Sequence, residues 1–258
     1  MRNFDFSILA AITDNLRNRY EDGFPVLKEL IQNADDAGAR RLLFGWHPGF
    51  GAGAVDHPLL AGPALWFLND GTIKPGDLAS LCAFGINSKA ADAATIGKFG
   101  LGMKSVFHLC EAFFFVAWDG QAQHHECLSP WNPTIHPDWE QETARDWAAL
   151  AAEAQAHIGA AGADDGAHWF LLWLPLRQKR HLRKLDGDFT DPITQRFPGD
   201  RPDQELAFLR ESDLALHLAE IMPLLHHLTR IEAVSAGADL IPTFAATHRP
   251  PTLSYRPD

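Results

Sequence analysis

The chain has 258 residues, 46% of them hydrophobic, and a formal net charge of −11. That is enough apolar mass for one large core, and the acidic balance opposes non-specific binding to nucleic acid, a polyanion. No apolar run reaches about 18 residues and no leader pattern opens the chain, while Cys82, Cys110 and Cys127 are odd in number and widely spaced; a cytoplasmic protein with free thiols and no membrane span is expected.

A helix is expected at about 5–19 and a second at about 24–37, the latter opened by Gly23 and Pro25 and closed by Gly38. At about 100° per residue, Leu27, Leu30, Ile31, Ala34 and Ala37 gather on one side of that second helix. Glu29, Asn33 and Asp36 fall within roughly 60° of one another on the other. A plain amphipathic helix with a polar outer face would give the same pattern. The chemical alternative is sharper: the Asn33 carbonyl oxygen suits Mg²⁺, which keeps waters and phosphate oxygens beside it. Glu29, one turn earlier, can orient or deprotonate a water.

A strand at about 40–46 and a glycine-rich loop from Gly49 to Gly53 precede a strand at about 64–69 that runs into Asn69-Asp70-Gly71. A carboxylate at that strand end can accept the exocyclic amine of adenine, although a simple Asp-Gly turn explains it as well. A helix is expected at about 75–83. Next comes Gly97-Lys98-Phe99-Gly100-Leu101-Gly102, leading into a helix at about 100–109. Its glycines allow close backbone approach and an anion-binding nest. No Gly-Lys-Ser/Thr closes the run, so a P-loop is disfavoured. Together the two segments suggest a Mg²⁺–ATP site.

Strands follow at about 111–118, 121–127 and 168–175, with the apolar Phe113 to Trp118 run expected to be central. Between the last two sits an Ala-rich amphipathic segment, Gln141 to Ala163, with a helix at about 141–157. The basic run Arg177 to Lys184 reads as a solvated loop, or as a contact for phosphates or an acidic partner. A helix at about 204–227 and strands at about 231–236 and 239–245 complete the series. His124, His125 and Cys127 alternate along a strand, and no zinc-type spacing occurs. Trp131, Trp139 and Trp147 either fill the core or mark a partner surface. The element order gives an α+β fold, a two-layer α/β sandwich with helices covering one face of a mixed, mainly antiparallel sheet. One domain over residues 1–247 is expected, with 248–258 as a Pro-containing tail or linker start.

The strings Leu27 to Ala39, Asn69-Asp70, Gly97 to Phe107 and Leu174-Pro175-Leu176-Arg177, in that order, resemble the GHKL superfamily of gyrase, heat-shock chaperone, histidine kinase and MutL ATPases. The likeness is greatest to the sacsin-type module and its bacterial relatives. It implies a Bergerat-type sandwich that binds ATP and Mg²⁺. By this resemblance Glu29 is the general base, Asn33 the Mg²⁺ ligand and Asp36 a pocket acid. Asp70 with Gly71 reads adenine, and Gly97, Lys98, Phe99, Gly100, Leu101 and Gly102 meet the phosphates. Phe84 to Ile96 would be a lid, with Ser88 and Lys89 near the phosphates. The chain departs from the superfamily pattern at Thr72-Ile73-Lys74, where the spaced glycine pair is missing, and at Trp169-Phe170, where no hydroxyl stands. The adenine end is then left to Asp70, water and apolar contacts. The resemblance implies slow ATP hydrolysis in isolation and a nucleotide-driven switch with a protein client or partner and a nucleotide-dependent homodimer. A non-hydrolysing nucleotide sensor and a DNA-repair or topology ATPase are the alternatives.

Overall fold

A computed structural model describes residues 23–72, 102–129, 136–139, 141–160, 168–182, 184–185, 188–189, 194–209, 211–234 and 244–247. The helices expected at 5–19 and 75–83, the segment 84–96 and the site residues Gly97, Lys98, Phe99, Gly100 and Leu101 lie outside the described residues.

Helix α1 spans Phe24–Asp36, with Pro25 in its first turn. Its end is a Schellman arrangement: Gly38 N–H donates to Asp35 O at 2.9 Å and Ala39 N–H to Ala34 O at 3.0 Å. Gly38 takes φ 76°, which a glycine adopts at no steric cost. The strands are β1 Arg41–His47, β2 Ala64–Asn69, β3 Phe113–Trp118, β4 Gln123–Leu128, β5 Trp169–Pro175, the short pair β6 Lys184–Leu185 and β7 Asp188–Phe189, β8 Arg230–Val234 and β9 Phe244–Thr247. Seven form one sheet in the order β4-β3-β5-β2-β1-β8-β9. Every pairing in it is antiparallel except β1 with β8. The remaining helices are α2 Ala144–Ala160, α3 Pro202–Glu205 and α4 Glu211–Ile221, with a 3₁₀ helix at Gly102–His108. The α+β sandwich expected from the sequence is the observed class.

The run Ala64 to Leu68 is buried without alternation, the pattern of a strand covered on both faces. This strand, β2, is the middle of the seven, and β3 sits one place in from the β4 edge. The expectation of a central β3 is corrected accordingly: its continuous apolar run reflects cover on both faces, not position in the sheet. Register places Gly45, Trp66, Trp173 and Phe114 in one row across four strands. Helix α2 covers that face. His157 stacks on Trp66 at 4.2 Å and the Trp147 ring meets Phe114 at 5.8 Å. The Ala-rich segment is therefore a cover for the sheet, and its small residues permit close approach. The opposite face carries Phe44, Phe67, Leu172 and Phe115. There the 3₁₀ helix sets Phe107 against Phe113 at 5.8 Å and packs on α1.

The first row depends on Gly45. A Cβ there would lie 2.6 Å from Trp66 Cζ2 and 2.8 Å from Val234 O, so a side chain would lift the indole off the sheet. Gly45→Ala is expected to cost about 1–3 kcal/mol, seen as a lower urea midpoint with an unchanged slope.

Two further expectations are corrected. The helix expected at 204–227 is broken into α3, a 3₁₀ turn at Ala207–Leu209, α4 and a 3₁₀ turn at Met222–Leu224. Pro223 cannot donate to a continuing ladder, so His226 and His227 lie beyond the helix. Arg177, placed by sequence in a solvated loop, is fully buried, while Trp139 and Trp147 are buried in the core, the first of the two readings given for them. Trp139 is stacked on His136 at 3.6 Å. Trp131 lies outside the described residues.

Three histidines make the fold acid-sensitive. His47 Nδ1 accepts Gly49 N–H at 2.9 Å, His57 Nδ1 accepts Leu59 N–H at 3.2 Å, and His181 Nδ1 accepts Gln178 N–H at 3.2 Å. A proton on any of these nitrogens would face a donor. Burial pushes all three below the ordinary imidazole value, and His181, beside Arg180, His136 and Arg177, goes down to about 3. The unfolded chain therefore takes up these protons first. Stability is full above about pH 6.5 and falls as the pH drops below it, by at most about 1.4 kcal/mol per pH unit for each histidine. Thermal unfolding at pH 7.5 and pH 5.5 should show the lower midpoint at pH 5.5.

Candidate functional site

Helix α1 sets Glu29, Asn33 and Asp36 along one edge. At 1.5 Å rise per residue, Glu29 and Asn33 stand about 6 Å apart along the axis. These three residues, with Lys28, Gln32 and Asp35, line one wall of a cavity of about 340 Å³, within the roughly 300–1,000 Å³ usual for small-molecule sites. The other wall is Ile221, Leu224, Leu225 and His226, from the end of α4 and the turn after it. One wall is thus mainly acid and amide, with Lys28 its one cation among the described residues, and the other is largely apolar. Leu224 is 72% exposed at this rim.

The Asn33 amide nitrogen is buried and has no hydrogen-bond partner among the described residues. A carboxamide not committed through its nitrogen can turn either end to the cavity, because its two ends are nearly isosteric. Acceptor oxygens of this kind suit a hard cation. Among the described residues no group of three or more His, Cys, Asp or Glu forms a metal-binding cluster. A Mg²⁺ carried mainly by phosphate and water oxygens needs only one or two protein ligands, so the donor set fits that ion.

The Asp70–Gly71 box docks at the far end of the same helix. Asn69 Oδ1 accepts Gly71 N–H at 3.0 Å, and Thr72 N–H donates to Ala37 O at 3.1 Å. A Cβ on Gly71 would lie 2.9 Å from the Ala37 Cβ, so only glycine lets the strand end reach the helix this closely. Asp70 is exposed, and its Oδ1 accepts N–H from Arg40 at 2.8 Å and Arg41 at 2.9 Å. Phe170 stands opposite Asn69 in register and stacks on Phe115 at 5.7 Å. Along α1, then, the order is Glu29, Asn33, Asp36 and then the Asp70 box. The cavity brings Glu29, Asn33 and Asp36 together, while Asp70 and Gly71 lie past the helix end. Gly102 opens the 3₁₀ helix.

Two further residues organise this region: Asp35, given no role of its own from sequence, and Arg177, read there as part of a basic run. Asp35 is 4% exposed. Its carboxylate accepts N–H from His226 at 2.9 Å and from His227 and Leu228 at 2.7 Å each. It pins the turn after α4, and so the apolar wall, to α1. Burial would raise its pKa, but the three N–H donors outweigh that and hold it below the ordinary carboxyl value. The second is Arg177. Its guanidinium pairs with Glu111 and donates to His108 O at 2.9 Å, Thr194 Oγ1 at 2.7 Å, Arg196 O at 3.1 Å, Cys110 O at 2.8 Å and Phe107 O. Sequence offered one clue to Asp35, since it is an acid at the edge of the apolar arc of α1.

These elements define a class, an α+β sandwich domain whose acid-and-amide helix lines a cavity beside a mainly antiparallel sheet. The family model described as the Sacsin domain matches residues 8–184, more than half of the chain, and the chain belongs to that family. Human Sacsin is 33% identical over 123 residues, which cover 45% of this chain and 3% of Sacsin. The chain thus corresponds to a small part of that relative. Among the described residues no helix is long and apolar enough to cross a membrane.

Proposed function

We propose that this chain is a Mg²⁺-dependent ATP-binding and slowly hydrolysing module of the sacsin type, acting as a nucleotide-driven conformational switch with a protein client or partner. The observation that carries this is the grouping of Glu29, Asn33 and Asp36 on one cavity wall, with the Asn33 amide nitrogen unpartnered among the described residues. The GHKL resemblance supports it, and so does the docking of the Asp70 box on the end of the same helix. Asn33 would hold Mg²⁺, which when bound neutralises phosphate charge. That charge matters here, because Glu29 and Asp36 would repel a bare triphosphate. Glu29 orients the attacking water and takes its proton. Asp70, one oxygen already fixed by two backbone N–H groups, presents the other to an amine such as that of adenine. Positioning and electrostatics carry most of such a phosphoryl transfer.

A non-hydrolysing sensor is the second reading. It is favoured by Phe170, which stacks on Phe115 and offers no hydroxyl beside the Asp70 box. Calorimetry of ATP with and without Mg²⁺ on wild type, Glu29→Ala and Asn33→Ala, followed by turnover on the same samples, separates the readings. Asn33→Ala should abolish the metal dependence of binding. Glu29→Ala should bind ATP but lose about 10²–10⁴-fold in turnover. Tight binding without turnover in wild type selects the sensor. No binding at all rejects both.

A further inference from the structure

We propose that Arg177 is a positioning residue that sets the spacing between the two walls of the α1–α4 cavity. The inference deepens the nucleotide-site reading, and it rests on that reading for the identity of the ligand. The guanidinium is fully buried and spends its donors on two separate segments. On one side it binds the carbonyls of Phe107, His108 and Cys110 and the Glu111 carboxylate, at the C-terminal end of the 3₁₀ helix. That helix packs on α1, which carries the acid-and-amide wall. On the other side it binds Thr194 Oγ1 and Arg196 O. Arg196 in turn pairs with Glu205 of α3 at 2.7 Å, and the chain continues from there into α4 and the apolar wall.

Thr194 is the joint between the two sides. It is buried, and its hydroxyl accepts from Arg177 Nη1 at 2.7 Å and donates to His108 O at 3.3 Å. The main-chain groups of Arg177 repeat the link. Its N–H donates to Leu109 O at 2.7 Å, and its carbonyl accepts Gly199 N–H at 2.9 Å. A guanidinium suits this task better than an ammonium because its five donors lie in one rigid plane. One side chain therefore fixes both cavity walls from outside the cavity, since it does not line it.

Thr194→Val keeps the volume and removes the joint, Glu111→Gln keeps the shape and removes the charge, and Gly45→Ala serves as a control on the other side of the sheet. Amide hydrogen exchange is measured on the ligand-free proteins, and Mg²⁺–ATP affinity on the same samples. With Thr194→Val and Glu111→Gln, exchange should rise about tenfold at the 3₁₀ helix and α4 together. ATP affinity should fall severalfold, while Gly45→Ala lowers the thermal midpoint and leaves affinity unchanged. Faster exchange confined to 194–200 overturns the proposal, as does a loss of affinity that merely tracks stability in all three variants. If wild type binds no ATP, the nucleotide reading fails by itself, and the exchange pattern still decides the role of Arg177.

Discussion

Arg177→Met is expected to lower the unfolding free energy by about 3–5 kcal/mol, the usual cost of removing one partner from a buried ion pair. Methionine fills most of the space but donates nothing. The Glu111 carboxylate then loses its guanidinium, and the carbonyls of Phe107, His108 and Cys110 lose buried donors they cannot replace from water. The same logic fixes the behaviour of a second change. Adding Glu111→Met should recover part of the loss, because it removes the buried carboxylate that the guanidinium had balanced. Urea unfolding of wild type, single and double variants tests this. A single variant within about 1 kcal/mol of wild type would show that the network around Arg177 adds nothing net, as exposed ion pairs often do.

Asp35→Asn is expected to cost about 2–4 kcal/mol at neutral pH. A carboxylate accepts from all three N–H groups of His226, His227 and Leu228, whereas a carboxamide must turn its NH₂ toward at least one of them. Each buried donor left without an acceptor costs about 1–3 kcal/mol. The loss should also depend on pH, with a definite sign. The folded Asp35 carboxyl is held below its ordinary value of about 3.8. Its contribution is therefore present above that pH and disappears as the pH falls through the folded value. The stability gap between wild type and Asp35→Asn should be wide at pH 7 and narrower at pH 3. Asp146, also held low by backbone donors despite burial, is present in both proteins and cancels. A gap of constant size at both pH values would mean that the carboxylate charge is not what pins the turn.

Asp35 lines the cavity and Arg177 stands outside it; sequence assigned Asp35 no role of its own and read Arg177 as part of a basic run. The candidate cavity residues themselves were legible. Glu29, Asn33 and Asp36 share an edge because a helix repeats every 3.6 residues, and the helix stops at Gly38 because a glycine there takes the left-handed conformation. The strand ending at Asn69 was placed at its observed bounds from an apolar run meeting an Asn-Asp-Gly turn. The helix after residue 202 was less legible. Its leucines continue the period past Pro223, but the proline and the capture of the next N–H groups by Asp35 end it.

By itself, then, the sequence determined the α+β class, most strand positions, the α1 boundaries and the polar edge that faces the cavity. All of these are written in periods, caps and turns within a few residues of one another. Only the tertiary structure decided that Asp35 is buried against backbone 191 positions away, that Arg177 joins two distant segments, and that the Ala-rich helix covers the second face of the sheet. Those outcomes rest on which groups meet after the chain has folded back on itself. A lone acid or arginine in a sequence carries no mark of the partner that will bury it.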